Sequence, residues 1–175
     1  MKRNNFSGVI WVTGLPGAGK TTFAKQIKKQ LESLSTQVTL LDGDELRVIM
    51  SNYDYQNTSR YQLAFSYAKL CHALAKQNNL IICATVSMFD DVRRWSRQYN
   101  DNYCEVFLSV SSNILQKRDQ KGLYSSTNKG DSMLLPGKSQ KVELPTNSEF
   151  VIKDMPLKDM TIQVRSVVNE VMSWK

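Results

Sequence analysis

The stretch VIWVTGLPGAGKTTFAKQI, Val9–Ile27, decides the fold. An apolar run typical of a buried strand passes through a glycine-rich turn into apolar residues at helical spacing. The turn GLPGAGKT, Gly14–Thr21, satisfies G-x-x-x-x-G-K-[ST] in the strand-to-helix context that this motif requires. The stretch therefore predicts a loop that binds the phosphates of a nucleoside triphosphate, and it leaves open what stands opposite the phosphate.

The loop assigns distinct roles to its residues. Glycines let backbone N–H groups turn toward the phosphates, and the following helix adds the positive end of its dipole. Lys20 is expected to reach the β- and γ-phosphates, and the Thr21 hydroxyl is expected to hold Mg²⁺. We therefore expect ATP and Mg²⁺ as cofactors. The expected ATP-binding residues are Gly14, Gly17, Ala18, Gly19, Lys20, Thr21 and Thr22.

Short apolar runs alternate with helical patterns along the whole chain. This alternation predicts an α/β fold of the P-loop NTPase type, with a parallel five-stranded sheet and helices on both faces. No linker interrupts the pattern, so residues 1–175 are expected to form a single kinase-like domain. The predicted strands are Val9–Thr13, Val38–Leu41, Leu80–Val86, Glu105–Val110 and Phe150–Ile152.

One long segment breaks the alternation. Residues from about 119 to 147 show little periodicity and are rich in Gly, Ser, Lys, Asn and Pro. A loop this long inside a compact domain is usually functional or disordered. We predict a lid loop over the phosphate site, with an unstructured insertion as the alternative.

Composition narrows the classes of partner and compartment. The net charge of +7, from 23 Lys and Arg against 16 Asp and Glu, is dispersed and suits a small polyanion such as a nucleotide. Neither an RNA-binding aromatic signature nor a zinc-finger spacing occurs, so we expect no nucleic-acid partner. No apolar run approaches the roughly 20 residues of a membrane span. The cysteines Cys71, Cys83 and Cys104 form no CxxC pair, which favours buried free thiols and a cytoplasmic protein.

An acidic pair follows the second predicted strand, in LLDGDELR, Leu40–Arg47. Ligands of open α/β sheets bind at the carboxyl ends of strands, so Asp42 and Asp44 would lie beside the P-loop if the two strands are neighbours. Asp44 is expected to accept a hydroxyl proton or hold a Mg²⁺-bound water, and Arg47 to grip an acceptor anion. The structural alternative is a turn with an aspartate N-cap.

Two later motifs carry further polar candidates. Ser87 and Asp90 fit an S-x-x-D capping box, so Ser87 is expected either to cap a helix or to take part in chemistry. Arg93 lies on the following helix, one turn before Arg97, where both are expected to be either functional or solvated. Arg118 is expected to close onto the transferring phosphoryl group, although a basic residue at a helix C-terminus is favoured by the dipole in any case. The single histidine, His72, is expected to be structural.

Taken together, these motifs resemble the adenylylsulfate kinase family. The matching strings are GVIWVTGLPGAGKTT, LLDGDELR, Ser87 with the arginines beyond it, YCEVFLSV and above all RDQKGLY, in this order. The resemblance implies transfer of the γ-phosphoryl group of ATP to the ribose 3′-hydroxyl of adenylyl sulfate. It also implies that Lys121 and Leu123 contact the acceptor and that Ser87 is the family's proposed phosphoserine. Direct in-line transfer does not require such an intermediate.

The chain also departs from the family's pattern. In SRYQLAFS, Ser59–Ser66, Arg60 keeps the family's first arginine, while a glutamate has become Gln62 and an asparagine and two arginines have become Leu63, Phe65 and Ser66. Tyr55 stands for a phenylalanine, Leu135 replaces a lid aromatic expected to stack on adenine, and Glu143 is kept. Stacking of a base on an aromatic ring contributes ~1–3 kcal/mol, so these losses favour a different acceptor nucleotide. A divergent branch of the family phosphorylates a cytidine diphosphoramidate in capsule synthesis.

The sequence thus predicts an ATP-dependent kinase acting on a nucleotide hydroxyl, either adenylyl sulfate or a close relative. The expected catalytic residues are Lys20, Asp44, Ser87 and Arg118, and the expected acceptor residues are Asp42, Arg47, Tyr55, Arg60, Arg93, Lys121 and Leu123. Two alternatives remain open: a small-metabolite kinase of the shikimate or gluconate kind, and an ATP-binding regulatory module without turnover. A homodimer is compatible with the sequence.

Overall fold

The protein has a parallel five-stranded sheet at its centre. The computed structural model describes residues 6–118, 136–137, 142–154 and 160–174. The strand order is β2-β3-β1-β4-β5, and every neighbouring pair is parallel. The strands are β1 Gly8–Gly14, β2 Val38–Asp42, β3 Leu80–Thr85, β4 Tyr103–Ser109 and β5 Phe150–Lys153. The predicted fold class is therefore confirmed.

Helices cover both faces of this sheet, because alternate strand residues point to opposite sides. On one face Ile10 and Val12 pack with α1, α5 and α6, and on the other Val9 and Trp11 pack with α2, α3 and α4. The helices are α1 Lys20–Ser33, α2 Gly43–Ile49, α3 Asn57–Ala75, α4 Asp90–Tyr99, α5 Ser112–Arg118 and α6 Thr161–Met172. In the described part of the chain no helix is long and apolar enough to cross a membrane.

The condition attached to the acidic pair, that the first two strands are neighbours, is not met. β2, which carries Asp42 at its end, is not a neighbour of β1, because β3 lies between them. Helix α2 begins at Gly43, directly after this strand, and its seven residues were too short to give a periodic signal. Of the predicted lid, residues 119–135 and 138–141 lie outside the described residues.

The three cysteines are free and buried, as predicted. Cys83 lies in β3 and Cys104 in β4, where each fills the core as a small apolar side chain. A hydrogen bond with Cys71, followed by burial, raises the pKa of the Cys83 thiol well above its ordinary value. These thiols are therefore inert core residues.

Candidate active site

The P-loop forms a tight turn between β1 and α1. Gly17 and Gly19 have φ angles of 78° and 94°, which lie in the left-handed region that favours glycine. The Ala18 N–H donates to the Leu15 carbonyl at 3.1 Å, and the Lys20 ammonium donates to the same carbonyl at 3.0 Å. Lys20 and Thr21 therefore open α1 at the carboxyl edge of the sheet, where an N-terminus attracts phosphate.

Thr21 connects the P-loop to the acidic turn after β2. Its hydroxyl donates to Oδ2 of Asp42 at 2.5 Å, and this contact spans the intervening strand β3. Oδ1 of Asp42 accepts from the Asp44 N–H at 2.9 Å and caps α2. The N-cap reading of Asp42 is therefore confirmed.

The Thr21–Asp42 pair has the donor chemistry of a Mg²⁺ site. A hydroxyl and a carboxylate oxygen are ligands that Mg²⁺ prefers, and the ion usually takes its remaining ligands from substrate phosphates and water. Among the described residues no group of three or more His, Cys, Asp or Glu side chains forms a protein-only cage. The residues present fit an ion that binds together with a nucleotide.

Helix α3 fixes the turn that carries Asp44. The Tyr67 hydroxyl donates to the Gly43 carbonyl at 2.9 Å, and burial raises the pKa of Tyr67 to about 12. Asp44 itself is exposed in the first turn of α2. Sequence reasoning missed Tyr67, because nothing local links it to a residue 24 positions earlier.

Arg47 is engaged by the loop that follows α2. Its Nη1 donates to the Asn52 carbonyl, the Asn52 side chain and the Asp54 carbonyl at 3.0–3.2 Å. The guanidinium lies 4.5 Å from the centroid of the Tyr55 ring, a cation–π distance. The structure thus joins two predicted acceptor residues, and Tyr55 is half exposed beside Arg47.

Arg60 lies deeper, on α3, and its side chain reaches the turn before α4. It is 7% exposed, and its guanidinium lies 5.8 Å from the Phe89 ring centroid. Burial, followed by the charge of Arg47, lowers the pKa of Arg60. Arg47, on the helix that follows the turn Asp42–Asp44 (here called the DGD turn), therefore brings a second positive charge near Arg60.

Four of the residues that depart from the family pattern, Gln62, Leu63, Phe65 and Ser66, lie on α3. Leu63 is buried in the core cluster that contains α3 and α4. The Phe65 ring meets Tyr61 at 5.1 Å and Trp95 at 6.3 Å, edge to face. Ser66 is exposed and bonds to the Gln62 carbonyl. Leu63 and Phe65 therefore contribute packing between helices, and Ser66 does not.

Ser87 does not cap a helix, so the capping-box prediction is wrong. Helix α4 begins at Asp90 with Phe89 as its N-cap residue, two positions after Ser87. The Ser87 and Thr85 hydroxyl oxygens are 2.8 Å apart, and Ser87 is 7% exposed. Since Thr85 pairs with Thr13 of β1, Ser87 lies just beyond the strand end next to the P-loop.

Arg93 is buried, which excludes the solvated reading for this residue. It is 5% exposed, bonds to Asp90 and lies with Nε 3.8 Å from Oε1 of Glu105. Burial lowers the pKa of Arg93 and raises the pKa of Glu105. Sequence reasoning did not identify Glu105. The glutamate within the otherwise apolar strand YCEVFLS is the feature that could have indicated it.

Arg97 is half exposed and extends this ion-pair cluster. It bonds to Glu149 and to the Asn147 carbonyl, and its Nη2 lies 3.5 Å from Oε2 of Glu105. Arg93 therefore belongs to a cluster under α4, and its described contacts face Asp90 and Glu105 rather than an open pocket.

Arg118 ends α5 against the P-loop. Its Nη1 donates to the Ala18 carbonyl at 3.3 Å, so the predicted transition-state arginine contacts the donor loop. Lys121, Leu123 and Leu135 lie outside the described residues. His72 packs on Trp95 and Tyr99, with Nδ1 3.2 Å from Oδ1 of Asn100, in keeping with a structural role.

Known proteins are similar to this chain in sequence and in fold. The family model described as adenylylsulphate kinase matches residues 6–153. A cytidine diphosphoramidate kinase of Campylobacter jejuni subsp. jejuni is 38% identical over 125 residues, covering 71% of this chain and 72% of the relative. An adenylyl-sulfate kinase of Bacillus pumilus is 32% identical over 154 residues, covering 86% of this chain and 78% of the relative.

A solved structure agrees in architecture. The APS kinase of Mycobacterium tuberculosis, in complex with AMPPNP and APS, matches with a TM-score of 0.85 at 22% identity and covers 97% of this chain and 100% of that chain. At this identity the likeness concerns the fold. With the family match over most of the chain, a P-loop beside an acidic turn and the shared five-stranded sheet, the chain belongs to the adenylylsulphate kinase family of phosphotransferases.

Proposed function

We propose that this protein transfers the γ-phosphoryl group of ATP to the ribose 3′-hydroxyl of adenylyl sulfate or a closely related nucleotide, with Mg²⁺. The observation that carries the proposal is the hydrogen bond from Thr21 to Asp42, which joins the P-loop to the DGD turn. A donor site and a carboxylate-bearing turn thus meet at one edge of the sheet. We further propose that the whole chain acts as one kinase domain in the cytoplasm.

The donor half rests on the P-loop. Gly14, Gly17, Ala18, Gly19 and Thr22 present backbone to the phosphates, and Lys20 leaves its loop carbonyl to bind the β- and γ-phosphates. Mg²⁺ held by Thr21 and Asp42 would neutralise charge on these phosphates. Arg118, which already contacts the Ala18 carbonyl, is close enough to the loop to stabilise the charge of the transferring group.

The acceptor half rests on the DGD turn and the residues around it. Asp44 accepts the proton of the attacking hydroxyl or orients that hydroxyl toward the γ-phosphorus. Arg60 and the Arg47–Tyr55 pair, whose arginine charges interact, bind the acceptor nucleotide, together with Lys121 and Leu123. Transfer is direct and in line, so Ser87 lines the site without carrying the phosphoryl group.

A second acceptor, a cytidine diphosphoramidate, is favoured by a specific observation. Leu63 and Phe65, at positions where the resembling family carries an asparagine and an arginine, pack within the α3–α4 interface and offer an acceptor no polar side chain. The Campylobacter jejuni relative that shares 38% identity is named for this substrate. Cytidine diphosphoramidate as acceptor would place the protein in capsule modification, and adenylyl sulfate would place it in sulfate assimilation.

The test is a coupled ADP-release assay with adenylyl sulfate beside cytidine diphosphoramidate. The proposal expects acceptor-dependent ADP release, abolished in Lys20→Ala while the thermal unfolding transition is retained. Unchanged turnover in Lys20→Ala would remove the P-loop from the donor site. ADP release that needs no acceptor nucleotide would favour an ATPase, and saturation by adenylyl sulfate at low concentration would reject the second acceptor.

A further inference from the structure

Residues 142–149, here called the strap, run past the N-terminus of α4 and reach β4. At one end the Glu143 N–H donates to the Met88 carbonyl at 3.2 Å, and Oε2 of Glu143 accepts from the Asp90 N–H at 2.6 Å. Glu143 therefore holds the turn before α4 through both its backbone and its side chain. The side-chain contact joins residues 53 positions apart.

Glu143 accepts a hydrogen bond from an N–H at the start of α4, as an N-cap side chain would. The N-cap residue itself is Phe89, whose side chain has no oxygen to accept a helix N–H. A helix N-terminus leaves its first N–H groups without intrahelical partners, and a carboxylate also favours the positive end of the dipole. The sequence places no capping side chain locally, and the structure shows a distant carboxylate in its place.

The turn that Glu143 holds carries Ser87, which lines the proposed site, and Phe89, which contacts Arg60 of the acceptor half. Ser87 begins it, anchored next to Thr85, and the preceding Val86 carbonyl accepts from the Thr13 hydroxyl at 2.7 Å. Phe89 ends it, with its ring facing the Arg60 guanidinium and 5.4 Å from the Tyr61 ring. Thr13 fixes the start of the turn, and Glu143 fixes its end. Loss of Glu143 would release Phe89, and with it one wall beside Arg60.

We propose that Glu143 is a positioning residue for acceptor binding, acting through the Ser87–Asp90 turn. The kinetic part of this inference rests on the proposed kinase function. Glu143 touches no reacting atom; it sets where Phe89 and Arg60 meet the acceptor. The donor loop belongs to other elements, so ATP binding is independent of Glu143.

The strap supplies its own matched control. Glu149, at the other end, accepts from the Glu105 N–H at 2.7 Å and pairs with Arg97. It thus makes the same type of carboxylate-to-backbone bond as Glu143, but against β4 rather than against the turn. Glu149→Ala loosens the strap without touching residues 87–90.

The experiment compares Glu143→Ala, Glu143→Gln and Glu149→Ala by steady-state kinetics. Loss of an N-cap contact changes an equilibrium by about fivefold, so Glu143→Ala should raise the acceptor KM about fivefold or more and leave the ATP KM unchanged. Glu143→Gln keeps an oxygen acceptor for the Asp90 N–H and should restore most of the acceptor affinity. Glu149→Ala should lower thermal stability and leave the acceptor KM unchanged.

Amide hydrogen exchange provides a readout that needs no turnover. Exchange across residues 86–92 should be faster in Glu143→Ala than in the wild type and in Glu149→Ala. An unchanged acceptor KM, an equal rise in Glu149→Ala, or unchanged exchange would each overturn the inference. A wild-type protein without acceptor-dependent turnover would instead reject the proposed function, and the exchange comparison would then decide the positioning role alone.

Discussion

The Thr21 hydroxyl donates to the Asp42 carboxylate at 2.5 Å across the strand that separates their elements. This contact brings the first turn of α1 to the N-cap of α2, so a hydroxyl and a carboxylate oxygen stand together at the carboxyl edge of the sheet. Strand order alone would keep the P-loop and the acidic turn apart. A residue at the start of α1 makes the connection.

The first prediction concerns the charge of Asp42. Asp42→Asn keeps an oxygen that can cap α2 but removes the charge that would support a divalent ion. We expect the Mg²⁺ concentration for half-maximal rate to rise about tenfold or more, the usual scale for loss of a metal-orienting carboxylate. Initial rates measured against Mg²⁺ test this, with the exposed Asp101→Asn as control. An unchanged Mg²⁺ dependence would remove Asp42 from the metal site.

The second prediction concerns Asp44 as the acceptor-side base. Asp44→Asn preserves size and removes the proton acceptor, so kcat should fall about a hundredfold or more, as loss of a general base usually causes. The ATP KM should stay at the wild-type value, because Asp44 lies on α2 outside the P-loop. Steady-state kinetics at saturating acceptor measure both constants. If kcat of Asp44→Asn equals the wild-type value, Asp44 contributes only to the first turn of α2.

The third prediction concerns Tyr67, which holds the turn between Asp42 and Asp44. Tyr67→Phe removes the donor to the Gly43 carbonyl and should lower the free energy of unfolding by about 1 kcal/mol. Tyr61→Phe is the matched control, since within the described ranges its hydroxyl makes a single hydrogen bond, an exposed 3.4 Å contact to Asp91. Urea denaturation of both variants measures the difference. Equal decreases in the free energy of unfolding in the two variants would mean that the hydrogen bond to the Gly43 carbonyl makes no specific contribution to stability.

The fourth prediction concerns the pH dependence that Glu105 confers. Burial raises the pKa of Glu105 above the ordinary 4.5, despite the nearby arginines. The unfolded chain therefore releases this proton at lower pH than the folded protein does. Between 4.5 and the folded pKa the folded state binds more protons, so the free energy of unfolding falls as pH rises through that window.

Glu105→Gln isolates this contribution. It keeps an oxygen for the Ser148 hydroxyl, which bonds to Oε1 of Glu105 at 2.7 Å, and it cannot ionise. The wild type should therefore lose stability relative to Glu105→Gln as pH rises from about 4.5, in urea titrations at a series of pH values. A wild-type advantage that grows with pH would mean that Arg93 and Arg97 outweigh the burial of the charge.

Local patterns predicted the framework well. The P-loop and the alternation of apolar runs with helical spacing depend on neighbours in sequence, and all five strands were found within a few residues. The end of β2 was placed one residue early and the start of β4 two residues late, because Asp42 and Tyr103 carry polar atoms that interrupt an apolar run. Helix α2 gave no periodic signal, because two turns cannot establish a period, and an aspartate N-cap was the feature that pointed to it.

Long-range contacts account for the errors at the site. The reading of Ser87 as a cap failed because a carboxylate 53 positions after Asp90 takes the helix N–H. The sequence left open that Arg93 is solvated, because its partner Glu105 lies on β4, which follows the helix in the chain. Arg47 bonds to its own loop, and its predicted contact with an acceptor stays a prediction. No pattern within one element reveals which side chain another element supplies.

The most direct test of the central claim follows the γ-phosphoryl group itself. Purified protein is incubated with γ-labelled ATP, Mg²⁺ and either adenylyl sulfate or cytidine diphosphoramidate, with Lys20→Ala in parallel, and the labelled product is identified by mass spectrometry. The proposed kinase function predicts that label moves to the ribose 3′-hydroxyl of one of these nucleotides and that Lys20→Ala forms no labelled nucleotide. Label found only in inorganic phosphate, or on a sugar acid offered in competition, would contradict it.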